Sequence, residues 1–290
     1  MGALLIGAVI FTSPILALAN LSLKNETYSH ISLIPAVSLF FIWIQRKSIF
    51  ADTVGKPLAG LAVCASGLAA YALALIFHEQ LDAPAFRNQD VSNDYLTLCM
   101  AGAVAWVIGS FVAAYGTVAF RKARFALLFM VLAIPLPMFL LNGVIKALQL
   151  ASAEAANLVF TVLGVPYHRD GLVFQFPNVS VEVAEQCSGI RSSLSLIILS
   201  IIMGYMFLKS ARNRVLLALA VFPITVFKNA LRITTLTLLA NYVDMRFLSN
   251  HWLHSSGGIP FFAAALAMLI PVVWLFRRSE KPVAPIVDKR

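Results

Sequence analysis

The chain has 290 residues, of which 60% are hydrophobic and only 12% are charged. Soluble domains average about 45–50% apolar and about 25% charged residues, so this composition excludes an ordinary soluble protein. It predicts an all-α polytopic membrane protein. The net charge of +9 is compatible with nucleic-acid binding only if the basic residues share one surface, and their distribution along the chain argues against that. Three cysteines are too few for a disulfide framework.

Eight apolar runs are long enough to cross a bilayer, which requires about 17–25 residues. The first is interpreted as a retained helix rather than a signal peptide, because no basic residue precedes Lys24. We predict a single transmembrane domain over residues 1–276, followed by a basic cytoplasmic tail over residues 277–290. The predicted spans are 2–19, 30–45, 57–77, 95–119, 125–148, 189–208, 215–239 and 259–276.

Lysine and arginine alternate in abundance between successive connections. They cluster after spans two, four, six and eight, and cytoplasmic loops are the ones that carry such an excess. This pattern predicts a multi-pass protein of the cytoplasmic (inner) membrane with both termini in the cytoplasm. The basic clusters are therefore interpreted as contacts with the lipid bilayer that fix topology, and we expect no nucleic-acid partner. The remaining connections contain only Lys24, Arg87, Arg169 and Arg246.

The longest outer connection lies between spans five and six. Apolar residues at helical spacing over 151–163 predict a helix along the interface, and a Gly-Val-Pro sequence ends it. Two short strands are predicted at Leu172–Phe176 and Val179–Val183, on either side of the turn pair Pro177-Asn178. The sequence thus predicts a small extracytoplasmic β-hairpin that leads directly into span six.

Three polar segments lie in or beside apolar runs: Glu185–Ser193, Lys228–Arg232 and His251–His254. The predicted topology places all three at the outer side of the membrane. They contain a thiol, a guanidinium and an imidazole, which together can perform acyl transfer. A bilayer normally excludes such groups unless they function, so these segments are the candidate site.

Cys187 lies near the amino terminus of predicted span six. The positive end of a helix dipole and a neighbouring guanidinium both favour a reactive thiolate. The alternative is an ordinary cysteine at the interface. Cys64 and Cys99 lie within apolar runs and are interpreted as small buried hydrophobic residues.

Arg232 is embedded in predicted span seven. An intramembrane arginine costs about 2.5–3.5 kcal/mol on insertion scales and is therefore a candidate functional residue. The alternative is a side chain that snorkels to the outer headgroups, and the same alternative applies to Lys228. Asn229 is one turn earlier on the same face, so it is predicted to brace Arg232 or the substrate.

Either His254 or His251 can supply an imidazole that changes charge near neutral pH. Glu185 can orient a histidine or pair with an arginine. Arg191 follows Cys187 by four residues, so it either points to the same site or anchors the interface. A metal site is the rival use of these side chains, but the paired close spacing of zinc ligands is missing, and we expect no metal or other cofactor.

Three segments, Val183–Arg191, Asn229–Ile233 and His254–Gly258, resemble the exosortase/archaeosortase family of membrane cysteine transpeptidases and proteases. Tyr28–His30 and Ile134–Pro137 look similar to the family as well. The family pattern has a histidine followed by a glycine one turn later, which favours His254 over His251. Ile31 departs from the pattern, since a glycine is expected there.

The resemblance implies a catalytic trio of Cys187, Arg232 and His254. Cys187 is expected to attack a peptide carbonyl and form a thioacyl intermediate, while Arg232 stabilises the oxyanion or the thiolate. His254 is expected to protonate the leaving amine and then activate the resolving nucleophile. The implied substrates are exported proteins with a C-terminal transmembrane sorting tail, similar to PEP-CTERM signals. Water or an amine on a lipid or glycan acceptor resolves the intermediate.

Two other classes stay open from the sequence. The first is a non-catalytic membrane component of protein or polysaccharide export, which predicts that Cys187 tolerates alanine. The second is a transporter with Arg232 in its substrate path. Few intramembrane acids and no recognisable inverted repeat argue against the transporter.

Overall fold

The computed structural model describes residues 2–51, 53–81, 94–184, 189–249 and 258–280. Helices dominate these ranges, and a small sheet accompanies them, which confirms the predicted all-α class with a minor β element. The chain forms two compact units, Met1–Asn142 and Gly143–Arg290.

The first unit is built around the contact between two long helices, Pro57–Ile76 and Asp94–Phe129. A Cβ atom on Gly102 would lie 2.6 Å from the carbonyl oxygen of Gly67, so the two backbones approach each other as closely as small residues allow. The helices of this unit are α1 (Gly2–Ile10), α2 (Thr12–Lys24), α3 (Leu33–Ile49), α4 (Pro57–Ile76), α5 (His78–Leu81) and α6 (Asp94–Phe129), with 3₁₀ segments at Glu26–Ser32 and Met130–Ala133.

Helix α6 is interrupted at Gly116, where φ is 84° and ψ is 175°. A side chain at this position would overlap the carbonyl oxygen of Val54, so both the backbone angle and the close approach require glycine. The helix then continues through the basic cluster at 121–124, which the sequence analysis had placed in a loop. That placement was wrong, because arginine and lysine are good helix formers and Lys122 Nζ donates to the carbonyl of Ser48 at 2.9 Å.

Six helical segments among the described residues are long and apolar enough to cross a membrane. The eight predicted spans are therefore not confirmed, and proline contributes to both differences. Pro14 lacks an N–H and crowds the carbonyl four residues earlier, where α1 ends, so residues 2–19 form two short helices. Pro135 and Pro137 break predicted span five. The six segments are Thr27–Ile49, Pro57–Ile76, Asp94–Ala133, Ile190–Phe207, Ala211–Tyr242 and Ile259–Ser279.

Helix α7 (Met138–Val162) begins at the end of the first unit and forms the start of the second. Its last part is the helix that was predicted over 151–163, and it ends just before Gly164, whose φ is 66°. The other helices of the second unit are α8 (Ile190–Phe207), α9 (Ala211–Tyr242), α10 (Arg246–Ser249) and α11 (Gly258–Ser279).

The sheet of the second unit is an antiparallel meander of β1 (His168–Asp170), β2 (Val173–Gln175) and β3 (Ser180–Glu182). The predicted hairpin is confirmed as β2 and β3, with Phe174 opposite Val181. The sequence analysis missed β1, because a strand of three polar residues carries no alternation of apolar and polar side chains.

Helix α9 contributes to two buried clusters of described residues in the second unit. On one side it packs with α7 and the sheet, and on the other with α8 and α11. The first cluster contains Ala153, Ala156, Phe160, Phe174, Phe176, Val179, Val183, Ala230 and Ile233. The second contains Leu196, Leu208, Leu217, Val221, Ala265, Leu269 and Val273.

Candidate active site

Three of the predicted site residues, Arg232, Asn229 and Arg191, lie within the described part of the chain. The other four lie outside the described residues, and their predicted roles stay predictions. These four are Cys187, Glu185, His251 and His254.

The start of α8 is a turn at Gly189, which has a left-handed backbone with φ 74° and ψ 17°. Its carbonyl oxygen accepts hydrogen bonds from Ser192 Oγ at 2.9 Å and from Ser193 Oγ at 2.8 Å. It also accepts the first backbone bond of the helix, from the Ser193 N–H at 2.9 Å. The two serines therefore fix this turn at the amino end of the helix.

The Gly189 turn lies directly against α9. A Cβ atom on Gly189 would be 3.2 Å from Lys228 Nζ and 3.3 Å from Asn229 Oδ1. Lys228 is only 4% exposed, and its Nζ donates a short hydrogen bond to Ser192 Oγ. The snorkelling interpretation of Lys228 is therefore wrong, since the amine points to α8 within the protein.

Asn229 is fully buried, and its Nδ2 donates to Ser152 Oγ at 3.0 Å. Ser152 belongs to α7 and is also fully buried. Asn229 thus links α9 to α7, and its predicted bracing of Arg232 or the substrate stays a prediction. Because buried polar groups are costly without partners, this bond constrains the relative position of the two helices.

Arg232 is half-buried and lines a narrow cavity between α9 and the end of β3. Its neighbours in the cavity include Glu182, Val183 and Asn229. The Nε atom of Arg232 is buried and has no hydrogen-bond partner among the described residues. The end of β3 is itself fixed, because Gln149 Nε2 of α7 donates to the carbonyl of Val183.

Arg191 is in the first turn of α8 with its side chain exposed. Its carbonyl accepts a hydrogen bond from Ser195 Oγ at 3.1 Å. Within the described residues, no three His, Cys, Asp or Glu side chains are grouped so as to hold a metal ion. Cys64 and Cys99 are 5% and 0% exposed, which confirms their interpretation as buried residues.

Residues 228–232 of α9 therefore lie against the residues that come just before and just after positions 185–188 in the sequence. On one side, Val183 lies in the cavity with Arg232. On the other, Gly189 lies against Lys228 and Asn229. Two cationic side chains and a side-chain amide within one helical turn can stabilise an anion, and burial strengthens that effect.

The sequence analysis missed the polar residues that support this turn of α9. Gln149 and Ser152 are three residues apart, and this spacing on an apolar helix was the available signal that they share a face. Ser192 gave no such signal, because its role depends on the contact between α8 and α9. Lys228 was noticed but was interpreted without a partner.

The fold and the site define a class: a multi-pass membrane protein with a small sheet beside a spanning helix. One turn of that helix, which carries Lys228 and Arg232, is called the cationic turn. A family model described as transmembrane exosortase matches residues 22–271, which cover most of both units. The chain belongs to the transmembrane exosortase family. No curated protein and no solved structure gives a significant match to the chain.

Proposed function

We propose that this protein is a membrane-embedded cysteine protease or transpeptidase that cleaves the C-terminal sorting signals of exported proteins. Cys187 attacks the carbonyl carbon of the scissile peptide bond and forms a thioacyl intermediate. The leaving amine takes a proton from His254, which then deprotonates the resolving nucleophile. That nucleophile is water in hydrolysis, or an amine on a lipid or glycan acceptor in transfer.

Arg232 has the role of stabilising the oxyanion that develops during this attack. A half-buried guanidinium stabilises developing negative charge more strongly than one in bulk water. Asn229 supports Arg232 from one turn earlier on α9, with its amide anchored to Ser152. Glu185, Arg191 and His251 remain supporting residues in this proposal.

The observation that carries the proposal is the position of Gly189 against Lys228 and Asn229, one turn from Arg232 on α9. Cys187 precedes Gly189 by two residues, and two residues of extended chain span about 7 Å at most. The membership of the transmembrane exosortase family supports the same reaction. The positive-inside pattern supports an active site at the outer face, with both termini in the cytoplasm.

The test is cleavage of a co-expressed surface protein that bears a C-terminal sorting helix, with Cys187→Ala compared with the wild type at equal membrane abundance. The matched control is Cys64→Ala, which removes a thiol that is buried in α4. We expect Cys187→Ala to abolish processing and Cys64→Ala to retain it. Continued processing in Cys187→Ala would refute the thiol mechanism and favour a non-catalytic export component.

A further inference from the structure

Lys228 is a buried cation that the proposed reaction does not yet use. Within the described residues, its Nζ has a single hydrogen-bond partner, Ser192 Oγ, and no carboxylate is within ion-pair distance. Arg232 follows it by four residues on α9, so two like charges occupy adjacent turns of a spanning helix. An intramembrane charge is unfavourable, which makes Lys228 a default candidate for function.

Two consecutive hydrogen bonds connect Lys228 to the start of α8. Lys228 Nζ donates to Ser192 Oγ, and Ser192 Oγ donates to the carbonyl of Gly189 at 2.9 Å. Gly189 itself approaches Lys228 so closely that its missing Cβ would lie 3.2 Å from the amine. The lysine thus contacts this turn twice, once through Ser192 and once directly.

We propose that Lys228 is a positioning residue for the proposed thiol chemistry, acting through Ser192 and the turn at Gly189. This inference rests on the proposed function, because the turn immediately follows the sequence that contains Cys187. Lys228 forms no covalent bond and transfers no proton in this role. Its ammonium group holds the turn in place, and its positive charge favours an anionic sulfur over a neutral thiol.

A purely structural role for Lys228 predicts a different result for the Lys228→Met variant. Methionine is a nearly linear apolar side chain, so Lys228→Met fills similar space and removes an unfavourable charge from the membrane. A purely structural account therefore expects this variant to fold and to cleave normally. The positioning account expects slower chemistry despite normal folding.

The experiment measures cleavage by the full-length enzyme in isolated membranes, with kcat and KM determined separately. It compares the wild type with Lys228→Met, Lys228→Arg and Cys187→Ala at equal abundance. The matched control is Lys146→Met, which removes an exposed lysine from α7. A second readout is the rate at which maleimide alkylates Cys187 in a Cys64→Ala, Cys99→Ala background.

We expect Lys228→Met to lower kcat by about 10–100-fold with little change in KM, as misplaced reacting groups commonly do. We also expect it to slow the alkylation of Cys187 at fixed pH, because less of the sulfur is anionic. Lys228→Arg keeps the charge and a donor and should recover part of both rates. Lys146→Met should match the wild type.

Two results would overturn the role of Lys228 and leave the proposed function intact. The first is equal cleavage and alkylation rates in Lys228→Met and Lys146→Met. The second is no recovery in Lys228→Arg, which would mean that the charge at this position is irrelevant. Cleavage that persists in Cys187→Ala would instead refute the thiol mechanism, and both proposals would then fail.

Discussion

A methyl group added at Gly189 tests the contact between α8 and the cationic turn of α9. The left-handed backbone of this residue, with φ 74°, costs an L-residue about 1–2 kcal/mol. The added Cβ would also lie 3.2 Å from Lys228 Nζ and 3.3 Å from Asn229 Oδ1, so these side chains would have to move by a few tenths of an ångström. Asn229 is held by Ser152 and is fully buried, so it has little room to do so.

The cost of a left-handed backbone can be measured separately, at a glycine that has no close neighbour. Gly171, in the turn between β1 and β2, has φ 59°, and nothing lies within 4 Å of the position where its Cβ would be. Gly171→Ala therefore carries the strain of the left-handed conformation alone. We expect both Gly171→Ala and Gly189→Ala to lose about 1–2 kcal/mol of stability.

Only Gly189→Ala should also impair processing, by about 10–100-fold, because it displaces Lys228 and Asn229 from the turn that follows the proposed nucleophile in the sequence. The assay is the rate of sorting-tail cleavage in membranes, normalised to the amount of folded enzyme. Equal loss of cleavage in the two variants would show that backbone strain is the cause and would refute the contact argument. So would a Gly189→Ala enzyme that cleaves at the wild-type rate.

Two further predictions concern stability in the second unit. In a double-mutant cycle of Asn229→Ala and Ser152→Ala, the thermal unfolding of the solubilised protein should give a coupling of about 0.6 kcal/mol, and at most about 1.7 kcal/mol. Additive effects would contradict the hydrogen bond between them. Arg169 hydrogen-bonds Glu154 and lowers the pKa of that carboxyl below its ordinary 4.5. The pair therefore stabilises the fold above this value, and we expect Glu154→Gln to cost up to about 1 kcal/mol near neutral pH. This cost should vanish as the pH falls through the lowered pKa, and an undiminished cost there would refute it.

Apolar runs were sufficient to predict most of the helices, but not which of them are continuous. Hydropathy measures the composition of a run, whereas Pro14, Pro135 and Pro137 interrupt helices through the missing N–H and the pyrrolidine ring. The opposite error occurred at residues 121–124, because this basic cluster was interpreted as a loop although its residues favour helix. Both errors come from using hydropathy alone to decide where a helix begins and ends. The helix-breaking effect of proline and the helix propensity of arginine and lysine give the correct ends.

The candidate site was predictable where a polar residue stands out within an apolar helix. Arg232 and Asn229 were identified in that way. The structure places Asn229 beside Gly189 and Arg232 in the cavity with Val183. Ser152 and Gln149 were not, because a serine or glutamine acquires its role only from a partner on another element. Such partners are set by the packing of α7, α9 and the sheet, and the sequence alone does not specify that packing.

The cationic turn belongs to a helix that, within the described residues, contributes to two buried clusters of the second unit. Ala230 and Ile233 pack with the sheet and α7, while Leu217 and Val221 of the same helix pack with α8 and α11. A change in the position of Arg232 would disturb the packing of its neighbours Ala230 and Ile233, which close-packed interiors resist. This arrangement fixes the charges before any substrate binds, and fixed charges stabilise a transition state without the cost of reorganisation. The packing of α9 around Ala230 and Ile233 is thus a physical reason for the proposed site to use this helix.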